Sequence, residues 1–320
     1  MEVFRKIPGV ENGSLSLKAF TDFIRNTFPG CDADPHFEKK VLMIFKRFSM
    51  SDPDVMVQTD FTKLYDYFLR RCMHPKCALI IVDFQNDFVD GSLSLKRCPR
   101  GENPEVLIPG LNKMVDLFDV VVYTYDWHPE NHISFLECFK KRKLHSTCTE
   151  KASDVTPGTM LVFDVDGRPV KQQMWPRHCI QNTKGAELHK GLKVKPDSII
   201  IHKGEEVDVD SYSAFWDNLR ISKTSLVVDL RSKQVNHVYI AGIAYDACVL
   251  WTAMDAMSEG FMTTLIRDLT CSIANETTAE ADARLKKANC PLIFSHDITK
   301  ESLNGPVSWE IVWQLAAKEI

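Results

Sequence analysis

The residues of this sequence that could do chemistry sit at the ends of short apolar runs. Cys248 follows Ile240-Ala241-Gly242-Ile243, where an apolar run breaks at a short turn and a helical stretch, Cys248–Met257, begins. A thiol in the first turn of a helix meets free backbone amides and the helix dipole, which lower its pKa and can bind an oxyanion. This setting predicts a nucleophile, against the commoner alternative of a buried structural cysteine. Asp83 directly follows Ile80-Ile81-Val82. An acid at the edge of a buried strand can be tuned for proton transfer, or it can simply cap a turn. Lys203 ends the run Ile199-Ile200-Ile201-His202-Lys203, where it can steady an anionic partner or snorkel to solvent.

Asp126 and His128 stand two apart after a second apolar run. In an extended segment such residues point the same way, so a carboxylate and an imidazole can converge on one ion. The segment Trp175-Pro176-Arg177-His178-Cys179 presents another imidazole on a proline-fixed loop. Two histidines and one aspartate leave coordination positions for water or substrate, as a catalytic divalent site requires. His132, His145 and His202 compete as ligands on composition alone.

The elements that must position these side chains are legible in the periodicity. Ala78–Val82, Val120–Tyr125, Ser198–His202, His237–Ile243, Met262–Ile266 and Pro291–Ser295 read as strands, most of them apolar on both faces and alternating with helical patterns. The expected fold is α/β, a doubly wound, mostly parallel six-stranded sheet with helices on both faces. Chemistry in such folds lies beyond the carboxyl ends of the strands. Residues 1–75 carry three helical apolar stripes and are expected to form a small all-helical module ahead of a domain spanning 76–320. The charged segment Lys141–Val162 reads as a surface insertion, and Leu303–Ile320 as an amphipathic helix bearing Trp309 and Trp313.

Bulk composition excludes several classes. The 320 residues carry a formal charge of -4 with dispersed lysines and arginines, so nothing marks a nucleic-acid or anionic-membrane partner. No run approaches the roughly 20 apolar residues of a membrane span, and a cytoplasmic location is expected. Ten cysteines without compact spacing are expected to be reduced. A small molecule is the expected partner, with assembly as a homo-oligomer left open.

Taken together, Val82–Asp87, Asp126-Trp127-His128-Pro129, Trp175–Cys179, Lys203-Gly204 with Tyr212–Phe215, and Gly242-Ile243-Ala244 leading to Cys248-Val249 resemble the nicotinamidases among the isochorismatase-like cysteine hydrolases. The resemblance spans about residues 77–300. It implies hydrolysis of nicotinamide to nicotinate and ammonia through a cysteine thioester, feeding NAD salvage. It assigns Cys248 as nucleophile, Asp83 as general base and acid, and Lys203 as the third triad member. Asp126, His128 and His178 would hold one divalent metal, zinc first, with manganese or iron as alternatives. Phe88, Trp175 and Tyr212 match the aromatic residues around the pyridine ring. A cis peptide is implied at Ile243–Ala244, with the backbone amides of Ala244 and Cys248 as the oxyanion hole. Residues 1–75 resemble paired EF-hands, as in animal nicotinamidases, but their loops lack calcium ligands. If Gly13 is the sixth loop position, Pro8 and Ala19 occupy the ends, and Ser49–Asp60 has Pro53 and Asp54 where a ligand and a glycine belong. Two alternatives differ in class: a related cysteine amidase acting on another small amide or ureido compound, and a non-enzymatic scaffold.

Overall fold

The computed structural model describes residues 2–50 and 52–318. Met1, Ser51, Glu319 and Ile320, which fall in the expected N-terminal module and C-terminal helix, lie outside the described residues. The apolar stripes of the first 75 residues form the helices Leu17–Thr27, Phe37–Phe48 and Gln58–Leu64, the last continuing to Met73. The Ser16 hydroxyl caps the first of these by accepting from the Ala19 N–H. The module is not all helical. Strands β1 (Val10–Glu11), β2 (Ser14–Ser16) and β3 (Val55–Val57) form an antiparallel sheet in that order. Its pairing sets Leu15 opposite Met56, both fully buried, and segments of two or three residues are too short for a period to register.

Six parallel strands form the central sheet: β4 (Cys77–Val82), β5 (Val120–Asp126), β8 (Ile199–Lys203), β9 (His237–Ile243), β10 (Met262–Cys271) and β11 (Leu292–Ile293). β10 runs five residues past its expected end at Ile266 by way of a register shift after Leu265, while β11 is shorter than expected. Alternate residues of β4 enter separate cores. Leu79 and Ile81 pack with Leu111, Met114 and Val115 of the helix Ile108–Leu117 on one face. Ala78, Ile80 and Val82 pack with Leu230, Val249, Ala253 and Leu285 on the other. Burying each such aliphatic side chain contributes about 1.5–3 kcal/mol, so both faces must be covered.

The strand order β11-β10-β9-β4-β5-β8 has one reversal. The chain winds outward from β4 through β5 to β8, then returns to place β9 on the other side of β4. The carboxyl ends of β4 and β9 diverge at that point and leave a crevice. The expected surface insertion does not end at Val162 but runs into a small two-stranded sheet. β6 (Met160–Val165) and β7 (Arg168–Gln173) form a hairpin around Asp166-Gly167, and Leu161, Phe163 and Val170 build a small core with Ile133, Phe139 and Met174. The Asp-Gly pair was a hairpin signal in the sequence.

The proposed division at residue 75/76 does not separate two cores. Trp309, Ile311, Val312 and Leu315 of the helix Trp309–Ala316 share one core with Phe20, Phe37, Val41 and Phe45 and with Met262 of β10. No helix of the described residues is long and apolar enough to cross a membrane.

Candidate active site

The crevice receives one side chain from each of four strand ends. Asp83 follows β4 with φ +47°, a conformation a non-glycine residue adopts only when its surroundings impose it. Thr124 of β5 supplies them: its Oγ1 accepts from the Asp83 N–H at 3.1 Å and donates to Asp83 Oδ1 at 2.6 Å. Lys203, fully buried, places Nζ 2.8 Å from Asp83 Oδ2 and 3.4 Å from Cys248 Sγ, and donates to the Ser211 carbonyl at 3.0 Å and to Asp126 Oδ1. Carboxylate oxygens of Asp83 and Asp126 and the Cys248 sulfur lie within 4.8 Å of one another. The Lys203 ammonium already occupies the cationic position among them. The peptide between Ile243 and Ala244 is cis, and Ala244 and Cys248 both line the cavity.

The electrostatics correct one expectation. The Cys248 thiol is not lowered by its place at a helix start. Burial raises its pKa well above the usual value, and Asp83 and Asp126 add to that against the opposing pull of Lys203. Burial likewise raises the Asp83 carboxyl despite Lys203, which opposes it. Burial disfavours the charge on Asp126 too, but there Lys203 and His128 win and hold the carboxyl well below the usual range. Lys203 is desolvated, yet its carboxylate neighbours hold its pKa well above normal. The site therefore sets a thiol and a carboxyl, both raised by burial, around the Lys203–Asp126 ion pair.

A second constellation adjoins the first through the other oxygen of Asp126. Its Oδ2 lies 3.5 Å from His128 Nε2 and 3.7 Å from His178 Nε2, longer than charge-assisted hydrogen bonds. Each ring is oriented through its opposite nitrogen, His128 Nδ1 donating to the Gly204 carbonyl at 2.9 Å and His178 Nδ1 to the Pro176 carbonyl at 2.8 Å. That fixes the tautomer with Nε2 free, as metal-ligating histidines are held. The three donors thus fit a divalent cation. Gly204 has to be glycine here, since a Cβ would stand 2.5 Å from His128 Cε1 at φ +67°. The two histidine segments are hydrogen-bonded together, the His128 N–H to the Cys179 carbonyl and the Gln181 N–H to the His128 carbonyl.

Of the competing histidines, His145 is on the exposed insertion with Thr147, and His202 stacks on Trp127 at 4.5 Å. His132 is different. It stacks on His128 at 4.0 Å, burial holds its pKa well below normal, and its Nε2 has no hydrogen-bond partner while facing Asp210 Oδ1 at 3.9 Å. Phe88, Trp175 and Tyr212 line the same cavity as Asp126, His178 and Cys248, and the Phe88 ring packs on His178 at 5.4 Å. A larger open groove, about 540 Å³, lies where residues 30–40 meet the C-terminal helix. None of Cys248, Asp126, His128 and His178 lines it, and all four line the smaller cavity.

Beyond this geometry, a family profile described as Isochorismatase domain matches residues 77–297. The chain belongs to the isochorismatase family. Within that family it is 37% identical over 202 residues to a nicotinamidase of Acinetobacter baylyi, covering 62% of this chain and 83% of the relative. It superposes on the structure of an Acinetobacter baumanii nicotinamidase/pyrazinamidase with a TM-score of 0.60 and 34% identity, over 70% of this chain and 98% of that one. The pyrazinamidase of Pyrococcus horikoshii in complex with zinc matches with a TM-score of 0.52 and 32% identity, over 69% and 99%.

This isochorismatase-family site also uses residues that the sequence reading passed over. Gln85, fully buried, donates from Nε2 to the Asp126 and Ala186 carbonyls at 2.7 and 2.8 Å and accepts the Asp126 N–H at 2.8 Å, clamping the shared carboxylate's backbone. Asp87 accepts the Cys179 N–H at 2.7 Å, tying the His178 loop to the short helix that carries Phe88. Asp210 borders the cavity beside His128 and His132. Gln85 follows Asp83 through a tight turn in which its N–H donates to the Asp83 carbonyl at 2.8 Å, so no strand alternation marked it.

Proposed function

We propose that this protein hydrolyses nicotinamide to nicotinate and ammonia through a thioester on Cys248, in the recycling of the pyridine ring toward NAD. The observation that carries the reading is Cys248, backed by Lys203 and Asp83, opening into a cavity whose other walls are Asp126, His128 and His178 and the rings of Phe88, Trp175 and Tyr212. The similarity to nicotinamidases supports it.

Cys248 Sγ attacks the carboxamide carbon as its proton passes to Asp83. Backbone N–H groups of Ala244 and Cys248 meet the oxyanion. When the C–N bond breaks, Asp83 gives that proton to the leaving nitrogen, and ammonia departs. Water then adds to the thioester carbon, losing a proton to Asp83, and the C–S bond breaks to release nicotinate and return the proton to sulfur. Lys203 stays charged throughout, steadying the Asp83 carboxylate and the sulfur as each becomes negative. Phe88, Trp175 and Tyr212 hold the ring and exclude water. A divalent ion on Asp126, His128 and His178, zinc as in the Pyrococcus relative or else manganese or iron, would supply a Lewis acid for a ring nitrogen. The test is ammonia release from nicotinamide by the purified protein, before and after chelation. The expected result is release that falls on chelation and returns with zinc. No release from nicotinamide, with turnover of a ureido compound instead, would overturn the substrate.

A further inference from the structure

The turn after β9 divides its residues between two neighbours. Ala244, Ala247 and Cys248 line the cavity, whereas Tyr245 and Asp246 hydrogen-bond to the helix Asn275–Lys287 and the residues leading into it. The Tyr245 hydroxyl donates to Asp282 in the middle of that helix. Asp246 accepts at its start: Oδ1 from the Ile273 N–H at 2.9 Å, and Oδ2 from the Ala274 N–H at 3.1 Å and the Thr277 hydroxyl. Ala274 is the N-cap residue and has no side-chain oxygen of its own, so the carboxylate that satisfies the helix start comes from the nucleophile turn.

The same contacts reach the far wall of the cavity. Ile273, whose N–H Asp246 holds, is an apolar part of that wall. Its carbonyl accepts the Arg100 N–H at 2.9 Å, Arg100 donates to Asn275 at 2.9 Å, and Glu102 accepts the Ser272 N–H at 2.6 Å. Arg100 and Glu102 follow Leu93, Leu95 and Cys98, which complete the mouth. One carboxylate, two residues before the nucleophile, therefore joins the Cys248 turn to the outer wall through a continuous set of hydrogen bonds.

We propose that Asp246 is a positioning residue that keeps the Cys248 turn and the Ile273 wall in one register, and so sets both the reactivity of the thiol and the ring size the cavity admits. The proposal rests on nicotinamide as the substrate. The experiment measures kcat and KM for nicotinamide and for a ring-methylated nicotinamide in wild type, Asp246→Asn and Thr277→Val, with the unfolding temperature of each. Asp246→Asn keeps the shape but cannot accept at both atoms. It is expected to lower kcat on nicotinamide by about tenfold or more, because small misplacements of a nucleophile are costly. It should also raise the relative kcat/KM for the methylated ring by about threefold or more as the wall loosens. Thr277→Val, which removes one donor and leaves the carboxylate, should shift the same ratio the same way by less. An unchanged ratio in Asp246→Asn, whether or not kcat falls, overturns the proposal, because general destabilisation would not alter ring preference. If Asp246→Asn does not fold, an unchanged ratio in Thr277→Val overturns it. A wild type inactive on nicotinamide overturns the substrate reading and this proposal together, whereas an active wild type with unmoved ratios overturns this proposal alone.

Discussion

Asp126 divides its carboxylate between two jobs, one oxygen on Lys203 and the other facing the Nε2 atoms of His128 and His178. Its low pKa keeps it anionic for both. The proposed ion lies on the histidine side, so ring recognition and acyl chemistry can be separated by mutation. Nicotinamide and benzamide differ by one ring atom, and an aromatic cage cannot tell them apart by size. We expect strong preference for nicotinamide in the wild type. His178→Ala should weaken metal binding and leave residual activity with less preference, since the anchor goes while Cys248 remains. Steady-state kinetics on both amides, with bound metal quantified, checks this. Equal use of the two amides by metal-loaded wild type would remove the anchoring role.

At the scale of elements, the strands were legible because both faces of the sheet are covered, which makes each strand a continuous apolar run, and a polar residue at its end stands out. The ladder of β1 to β3 was not, being too short to show a period, and β11 forms inside its expected range but over two residues only. Clamps such as Gln85 were hidden because their partners lie some 41 and 101 positions away. The direction of the Cys248 shift was misread because a helix start argues from local backbone alone, whereas burial and two carboxylates arrive from other strands. His237, at the start of β9, shows such burial acting on stability. Buried and bonded only through Nε2 to Thr264 Oγ1 at 2.9 Å, its pKa is lowered to about 3 by burial. The unfolded chain, with an ordinary value near 6.5, takes up the proton first as pH falls. Stability is therefore full above about pH 6.5 and is lost as pH drops toward 3, by on the order of 2 kcal/mol at pH 5. Urea unfolding at pH 7.5 and 5 should show a loss in wild type larger by about that amount than in His237→Gln, and equal losses would refute the assignment. In the amino-terminal loops, the end residue Asp60 is buried and its Oδ2 accepts the Met50 N–H at 3.0 Å. With Pro8 and Ala19 closing the other loop, millimolar calcium should move neither the melting temperature nor turnover. A saturable calorimetric site within residues 1–75 would contradict this.

Across the whole molecule, the first 75 residues and the last helix fold as one body against β10. Trp309, 1% exposed, is its centre, donating from Nε1 to Asp34 at 2.7 Å, packing edge-on to Phe37 at 4.9 Å, and donating its backbone N–H to the Pro29 carbonyl at 2.8 Å. Trp309→Ala should cost about 3–5 kcal/mol, and a variant unfolding at the wild-type denaturant midpoint would show the two ends to be independent. We propose that this body braces the start of β10 and takes no part in the chemistry, which stands on the ends of β4, β5, β8 and β9. The account as a whole turns on Cys248, and the most direct measurement of it is ammonia release from nicotinamide by Cys248→Ala beside the wild type. Removing one small side chain should leave unfolding nearly unchanged while turnover falls by at least about a thousandfold, because no neighbouring group replaces the sulfur. Turnover retained in the folded variant would contradict the thioester route.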